Sequence, residues 1–125
     1  MTLKIFRSAT FEASHFLPNT PAGHKCRNMH GHSYRVTIEL TGKVGASSGW
    51  ILDTAEVDRA FSYMHKRLDH HLLNEIEGLE NPTTELLAAW IWERLHKVWG
   101  DCSTIHKIGV TVHEGHRSAA FYDGP

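Results

Sequence analysis

Three histidines and a cysteine lie within eleven consecutive residues, His24 to Tyr34, which read HKCRNMHGHSY. Imidazole nitrogen and thiolate sulfur are the protein ligands that zinc prefers. A structural zinc site has four protein ligands, so Cys26 could complete such a site with the histidines. A catalytic zinc site has three protein ligands and keeps a fourth position for water or substrate. The spacing leaves both interpretations open, because it fits either one, although the sequence lacks the Cys-x-x-Cys pair of most zinc knuckles.

His30 and His32 are two residues apart at the mouth of a predicted strand, so both side chains point to the same face. That face continues into apolar residues and is expected to be the core side. His15 ends the preceding predicted strand on its apolar face as well. If the two strands pair, the three imidazoles converge at one edge of the sheet. The pattern therefore predicts a metal site made of His15, His30 and His32, and three neutral imidazoles suit zinc.

Two further groups could take part in chemistry. Asp69 and His70 end the first predicted helix, and an aspartate beside a histidine can fix the tautomer of the imidazole and tune its basicity. A capping aspartate beside solvent-exposed histidines would give the same pattern. Glu114 follows apolar residues in alternate positions, so its carboxylate is expected on the inner face. There it needs a protein cation or a ligand with paired N–H donors.

The elements that would position these residues follow from the hydrophobic pattern. Alternation with a period of two predicts strands over residues 3–15, 32–41, 108–112 and 119–122. Helical spacing predicts an amphipathic helix from residue 54 to about 68.

A second helix is predicted to begin at a cap formed by Asn81 or Thr83 and to end at Gly100. Its buried stripe is expected to consist of Leu87, Ile91, Leu95 and Val98. The order β-β-α-α-β-β does not alternate strands and helices as βαβ units do. It therefore indicates an α+β fold: a four-stranded antiparallel sheet with two helices packed on one face.

The composition bounds the class of protein. The 125 residues are expected to form a single domain, 1–125, that needs no disulfide to hold its core. A net charge of −1 provides no basic field for nucleic acid or an anionic membrane. The sequence has no apolar run long enough to span a membrane and no recognisable signal peptide, so a cytoplasmic location is expected. The unusual feature is eleven histidines.

Six segments together resemble the 6-pyruvoyl-tetrahydropterin synthase family. The resemblance is closest to its bacterial branch, which forms 6-carboxy-5,6,7,8-tetrahydropterin in queuosine (7-deazapurine) biosynthesis. The segments cover nearly the whole chain in order. They are FEASH (11–15), HKCRNMHGHSY (24–34), GWILD (49–53), RLDHHLLN (67–74), LENPTTE (79–85) and VHE (112–114).

The resemblance implies a role for each matching residue. It implies that His15, His30 and His32 bind Zn²⁺, which favours the open site. It also implies that Cys26 is a catalytic acid/base, with Asp69 and His70 completing a relay. The remaining matches imply a pterin-binding site formed by Glu114, Thr83 and Thr84.

The implied fold is the tunnelling fold, in which trimers close their sheets into a barrel. Two trimers would stack into a homohexamer with active sites between subunits, so Asp69 and His70 could come from a different chain than Cys26. The implied reaction is the zinc-dependent, carbon–carbon lyase conversion of 7,8-dihydroneopterin triphosphate to 6-carboxy-5,6,7,8-tetrahydropterin, acetaldehyde and triphosphate.

Two rival functions remain at this stage. A pyruvoyl-forming synthase would use the same residues but give a different product, and the short spacing between Cys26 and His30 favours the carboxy-forming branch. A non-enzymatic, zinc-stabilised domain would use Cys26 as the fourth ligand, and removal of zinc would unfold it.

Overall fold

The computed structural model describes all 125 residues of the chain, and its elements follow the predicted order β-β-α-α-β-β. The strands are β1 (Thr2–His15), β2 (His30–Lys43), β3 (Ile105–Glu114) and β4 (Ser118–Tyr122), and the helices are α1 (Thr54–Leu68) and α2 (Thr84–Trp99). Two short 3-10 turns, Lys25–Arg27 and Leu73–Glu75, lie in the connections. The strands β2 and β3 begin two and three residues earlier than the alternation of apolar residues predicted.

The four strands form one antiparallel sheet in the order β1-β2-β3-β4. Each strand pairs with its neighbours in sequence, as expected for strands joined by hairpins or by a helical excursion. In this register His15 lies opposite His30, Ala13 lies opposite His32, and Tyr34 lies opposite Glu114. Because cross-strand partners share a face, the three histidines and Glu114 all lie on the same side of the sheet.

That side of the sheet carries the core. Helix α1 lies against β1, and α2 lies against β3 and β4. The buried apolar side chains of the strands, the helices and the intervening loops form one cluster. Burial of each large apolar side chain in it stabilises the fold by about 1.5–3 kcal/mol. The opposite face is largely polar; Ser8 and Thr37, for example, share a hydrogen bond of 2.9 Å there.

Side-chain caps define where both helices begin. Asp53 caps α1 by accepting a hydrogen bond from the Ala55 amide. Thr83, not Asn81, caps α2: its hydroxyl oxygen accepts from the amide of Leu86 at 3.1 Å. The cap fixes the direction in which the preceding segment enters α2, and that segment carries Pro82, which contacts the histidine cluster.

One residue of the predicted buried stripe of α2 was assigned wrongly. Val98 is 61% exposed, and Trp99 takes its place in the core with 6% exposed. Leu87, Ile91 and Leu95 are fully buried as expected. The buried residues continue at a spacing of four to the end of the helix, so Trp99 follows Leu95 in the core and Val98 faces solvent.

The structure has no helix that is both long enough and apolar enough to cross a membrane.

The corrected stripe predicts a contrast between two truncations in the last turns of α2. Leu95→Ala should lower the free energy of unfolding by about 2–5 kcal/mol, because it leaves a cavity in the core. Val98→Ala should change it by no more than about 0.5 kcal/mol, because the side chain is exposed. Urea unfolding of both variants measures the contrast, and equal losses would contradict the assignment.

Candidate active site

Three imidazoles meet at the end of the β1–β2 pair. His15 is the last residue of β1 and is 1% exposed, whereas His30 and His32, at the start of β2, are partly exposed. Each of the three offers a ring nitrogen, and these nitrogens lie within 4.8 Å of one another. The convergence predicted from the strand pattern is therefore confirmed.

Backbone carbonyls fix the orientation of two of the rings. Nδ1 of His15 lies 2.9 Å from the carbonyl oxygen of Pro82, and Nδ1 of His30 lies 2.7 Å from that of Asn28. A carbonyl oxygen can only accept, so both Nδ1 atoms carry the hydrogen and donate it. Both neutral rings therefore present an Nε2 lone pair to the centre of the cluster. Metal-binding histidines usually donate their other ring N–H to a carbonyl or carboxylate in this way, which fixes the tautomer and the orientation of the ring.

The centre of the cluster fits a cation. The Nε2 atoms of His15 and His30 are 3.1 Å apart, with two lone pairs facing each other. Nε2 of His32 is buried and has no hydrogen-bond partner, although Oε1 of Glu114 lies 3.4 Å away. A buried polar atom without a partner is costly unless something else satisfies it. A metal ion that prefers imidazole ligands, such as zinc, would satisfy all three nitrogens together.

The surroundings keep His15 neutral. Burial lowers the pKa of His15, and the hydrogen bond to Pro82 only partly opposes this effect. The Tyr34 hydroxyl lies 3.3 Å from Nδ1 of His15, and burial raises the pKa of Tyr34, so the phenol stays protonated. The Tyr34 ring stacks on Phe11 with centroids 4.9 Å apart, which holds it under the histidines.

Cys26 is close to His30 in the sequence, but its side chain is not part of the histidine cluster. It sits half-buried in the Lys25–Arg27 turn, where its amide donates to Nδ1 of His24 at 3.1 Å and its carbonyl accepts from the Leu17 amide at 2.7 Å. The metal-ligating side chains that lie within 4.8 Å of one another are the three histidines, without Cys26. The second cysteine, Cys102, contacts Thr104 beyond the end of α2.

A cavity of about 660 Å³ is lined by Glu114, whose Oε1 lies 3.4 Å from Nε2 of His32 in the cluster. Glu114, Thr83 and Thr84 all line it, so the structure brings together the three residues that the sequence indicated for substrate binding. The Thr84 hydroxyl donates to Oε2 of Glu114 at 3.0 Å, whereas the Thr83 hydroxyl oxygen serves as the cap of α2. Oε1 of Glu114 makes no hydrogen bond within the chain and remains able to accept from a ligand.

Asp69 and His70 form a tight pair along the free edge of β1. Oδ1 of Asp69 accepts from the Glu12 amide at 2.9 Å, and Oδ2 accepts from Nδ1 of His70 at 2.8 Å. These two bonds, the backbone bond first, lower the pKa of Asp69, so the carboxylate stays ionised. The bond to Nδ1 leaves Nε2 of His70 directed away from Asp69, and the side chain is 78% exposed.

The backbone of His70 has an unusual conformation. Its φ of 58° is the only positive value at a residue other than glycine, and this left-handed conformation costs about 1–2 kcal/mol. A hydrogen bond of 2.6 Å from the His70 amide to the Glu12 carbonyl holds it. His70 lines a second cavity, of about 530 Å³, together with Gly31 and His32. Within one chain no hydrogen bond links this pair to Cys26.

Sequence reasoning missed the groups that support the metal cluster. The carbonyls of Pro82 and Asn28 carry no side-chain signal, so no pattern could have indicated them. Tyr34 alternates with His32 and lies on the same face of the sheet, but its contact with His15 depends on the register of the strand pair.

Comparison with known proteins agrees with this geometry. The sequence pattern of the family described as 6-pyruvoyl tetrahydropterin synthase matches residues 4–125. A 6-carboxy-5,6,7,8-tetrahydropterin synthase of Synechocystis sp. is 35% identical over an alignment of 126 positions, which covers 97% of this chain and 93% of that protein. A dihydroneopterin monophosphate aldolase of Pyrococcus furiosus is 31% identical over 97 residues, 78% of each chain.

The fold is also similar to a solved structure. The 6-pyruvoyl tetrahydropterin synthase of Caenorhabditis elegans superposes with a TM-score of 0.88 and 26% identity, covering 100% of this chain and 97% of that one. This similarity confirms the predicted tunnelling fold. The chain belongs to the 6-pyruvoyl tetrahydropterin synthase family, a family of enzymes.

Proposed function

We propose that this chain is a zinc-dependent carbon–carbon lyase that converts 7,8-dihydroneopterin triphosphate and water to 6-carboxy-5,6,7,8-tetrahydropterin, acetaldehyde and triphosphate, in queuosine biosynthesis. The observation that carries the proposal is the juxtaposition of three imidazoles, whose Nε2 atoms converge, with a cavity that contains an available carboxylate. The identity to the Synechocystis enzyme over nearly the whole chain supports the carboxy-forming reaction.

The metal would be held by His15, His30 and His32 and would leave room for the substrate. When bound, zinc would supply Lewis-acid polarisation of the substrate's side-chain hydroxyls and of the carbon beside them. The chain's own contribution is to present neutral rings in fixed orientations, which the Pro82 and Asn28 carbonyls achieve.

Glu114 would bind the pterin ring. A pterin presents a ring N–H and an amino group side by side, a pair of donors that a carboxylate accepts in two parallel bonds. Thr84 already donates to Oε2 of Glu114, which holds the carboxylate in place in the wall of the cavity. Thr83 would help to shape the same wall, since it lies at the start of α2 beside Thr84.

Cys26 would move protons at the side chain of the substrate, acting as a thiolate general base and acid. Asp69 and His70 would complete the relay, with Asp69 holding the His70 tautomer so that Nε2 is free to exchange a proton. Within one chain this pair sits along the free edge of β1, where no strand of the same chain covers it. In a homohexamer of stacked trimers, an active site between subunits would combine Cys26 with Asp69 and His70 of another chain.

Three rival functions share these features. A pyruvoyl-forming synthase is supported by the similarity to the Caenorhabditis elegans structure, and a monophosphate-specific aldolase by the similarity to the Pyrococcus furiosus enzyme. The carboxy-forming reaction is preferred because the Synechocystis protein named for it is 35% identical to this chain, compared with 31% for the Pyrococcus furiosus aldolase and 26% for the Caenorhabditis elegans synthase. A closed structural zinc site is disfavoured because Cys26 does not join the histidine cluster.

Analysis of the products tests the proposed reaction. Purified, zinc-loaded protein incubated with 7,8-dihydroneopterin triphosphate should release acetaldehyde and triphosphate in equal amounts with 6-carboxy-5,6,7,8-tetrahydropterin, as measured by mass spectrometry and an aldehyde assay. Triphosphate without acetaldehyde would indicate the pyruvoyl-forming reaction instead. Turnover of the monophosphate alone would indicate the aldolase.

The carboxylate of Glu114 gives a second prediction. Glu114→Gln should weaken the binding of neopterin by about 1.5–3 kcal/mol, because a charge-assisted hydrogen bond is lost. Titration followed by pterin fluorescence measures the affinity directly, without turnover. Glu85→Gln is the matched control, since Glu85 lines the same cavity but is exposed at its rim, and its affinity should not change. Equal affinity of Glu114→Gln and wild type would remove Glu114 from the pterin site.

A further inference from the structure

The amide of Asn74 joins two segments of the chain that carry the histidine cluster. Asn74 lies in the Leu73–Glu75 turn, and its Oδ1 accepts from the Phe16 amide at 3.0 Å. Its Nδ2 donates to the Phe16 carbonyl at 2.8 Å and to the Glu80 carbonyl at 3.3 Å. The side chain thus continues the edge of β1 past its last residue. Its orientation is fixed, because a flipped amide would turn its oxygen toward two carbonyls.

Both partners are next to parts of the metal cluster. Phe16 directly follows His15, and Glu80 precedes Pro82 by two residues. Pro82 supplies the carbonyl that accepts from Nδ1 of His15. Asn74 therefore holds the two ends of the bond that sets the tautomer and the direction of the His15 ring.

The loop that carries Glu80 has a second, independent anchor. The Trp90 indole N–H donates to the Glu77 carbonyl at 3.1 Å, and the guanidinium of Arg94 lies 3.5 Å from the centre of the Trp90 ring. Loss of the Asn74 amide would leave this anchor in place. The loop would stay on α2, but its position relative to the end of β1 would no longer be fixed.

We propose that Asn74 is a positioning residue for the metal site, and that it acts by fixing the carbonyl of Pro82 against Nδ1 of His15. This inference rests on the metal site proposed above. Groups behind a metal-binding histidine typically contribute about 10–100-fold to metal affinity. Asn74 does not contact the His15 ring. It acts on the position of that ring through its hydrogen bonds to the backbone of Phe16 and Glu80.

The test is the zinc affinity of the folded, metal-free protein, measured by competition with a chromophoric chelator. Asn74→Ala should lower the affinity by about 10-fold or more. Asn74→Asp keeps an acceptor for the Phe16 amide but sets an oxygen against the carbonyls of Phe16 and Glu80. It should lose at least as much affinity. In the Co²⁺-loaded variants, the visible absorption bands should shift, because the His15 ring changes its orientation.

A matched control separates positioning from general loss of stability. Thr104 also donates its side-chain hydrogen to a backbone carbonyl, that of Ile51 at 2.7 Å, but it lies beside the opposite end of β2, about 40 Å along the strand from His30. Thr104→Val should lower the melting temperature and leave zinc affinity unchanged. An equal loss of zinc affinity in Thr104→Val and Asn74→Ala would overturn the positioning role.

The remaining outcomes also decide the matter. Wild-type affinity and an unchanged Co²⁺ spectrum in a folded Asn74→Ala protein would overturn this inference alone. Failure of the wild-type chain to bind zinc would overturn the proposed metal site as well. If Asn74→Ala does not fold, Asn74→Ser takes its place. Failure of all three Asn74 variants to fold would assign Asn74 to the stability of the fold and not to the metal site.

Discussion

The register of the β1–β2 pair is the constraint on which the rest of the structure depends. It sets His15 opposite His30 and Ala13 opposite His32, so the three imidazoles share one face at one end of the sheet. A slip of one residue would turn every side chain of a strand to the other face of the sheet. Such a slip would separate the histidines and would also expose the apolar side chains of the core. Burial of residues such as Phe11 and Tyr34 therefore stabilises the fold and the metal cluster together.

The second requirement is that polar groups brought into this end of the core keep their partners. His15 is buried, and its Nδ1 is satisfied only because Pro82 arrives from the segment before α2. Glu114 reaches the same region from β3, and its Oε2 is satisfied by Thr84 in the first turn of α2. Nε2 of His32 and Oε1 of Glu114 have no hydrogen-bond partner in the chain, and they are atoms that a metal and a ligand would engage.

Much of this could be predicted from the sequence because it depends on short-range periodicity. Alternation of apolar residues placed His30, His32 and Glu114 on the inner face, and the β-β-α-α-β-β order gave the fold class. The cap of α2 could not be chosen between Asn81 and Thr83, since both residues suit that position. Val98 was misplaced because the stripe of α2 could continue at a spacing of three or four residues.

The contacts of Pro82 and Asn74 join residues far apart in the sequence through backbone atoms, which no pattern of side chains reveals. The proposed meeting of Cys26 with Asp69 and His70 depends on more than one chain, and motif resemblance alone suggested it.

The central claim is that three histidines hold the metal and that Cys26 serves as the acid/base beside it. The most direct test measures zinc per chain beside turnover in Cys26→Ala, with His30→Ala as the comparison. The account predicts that Cys26→Ala keeps the wild-type zinc content and melting temperature while turnover falls by about 10²–10⁴-fold, whereas His30→Ala loses zinc and activity together. Loss of zinc from Cys26→Ala in proportion to its loss of activity would make the cysteine a fourth ligand and contradict the account.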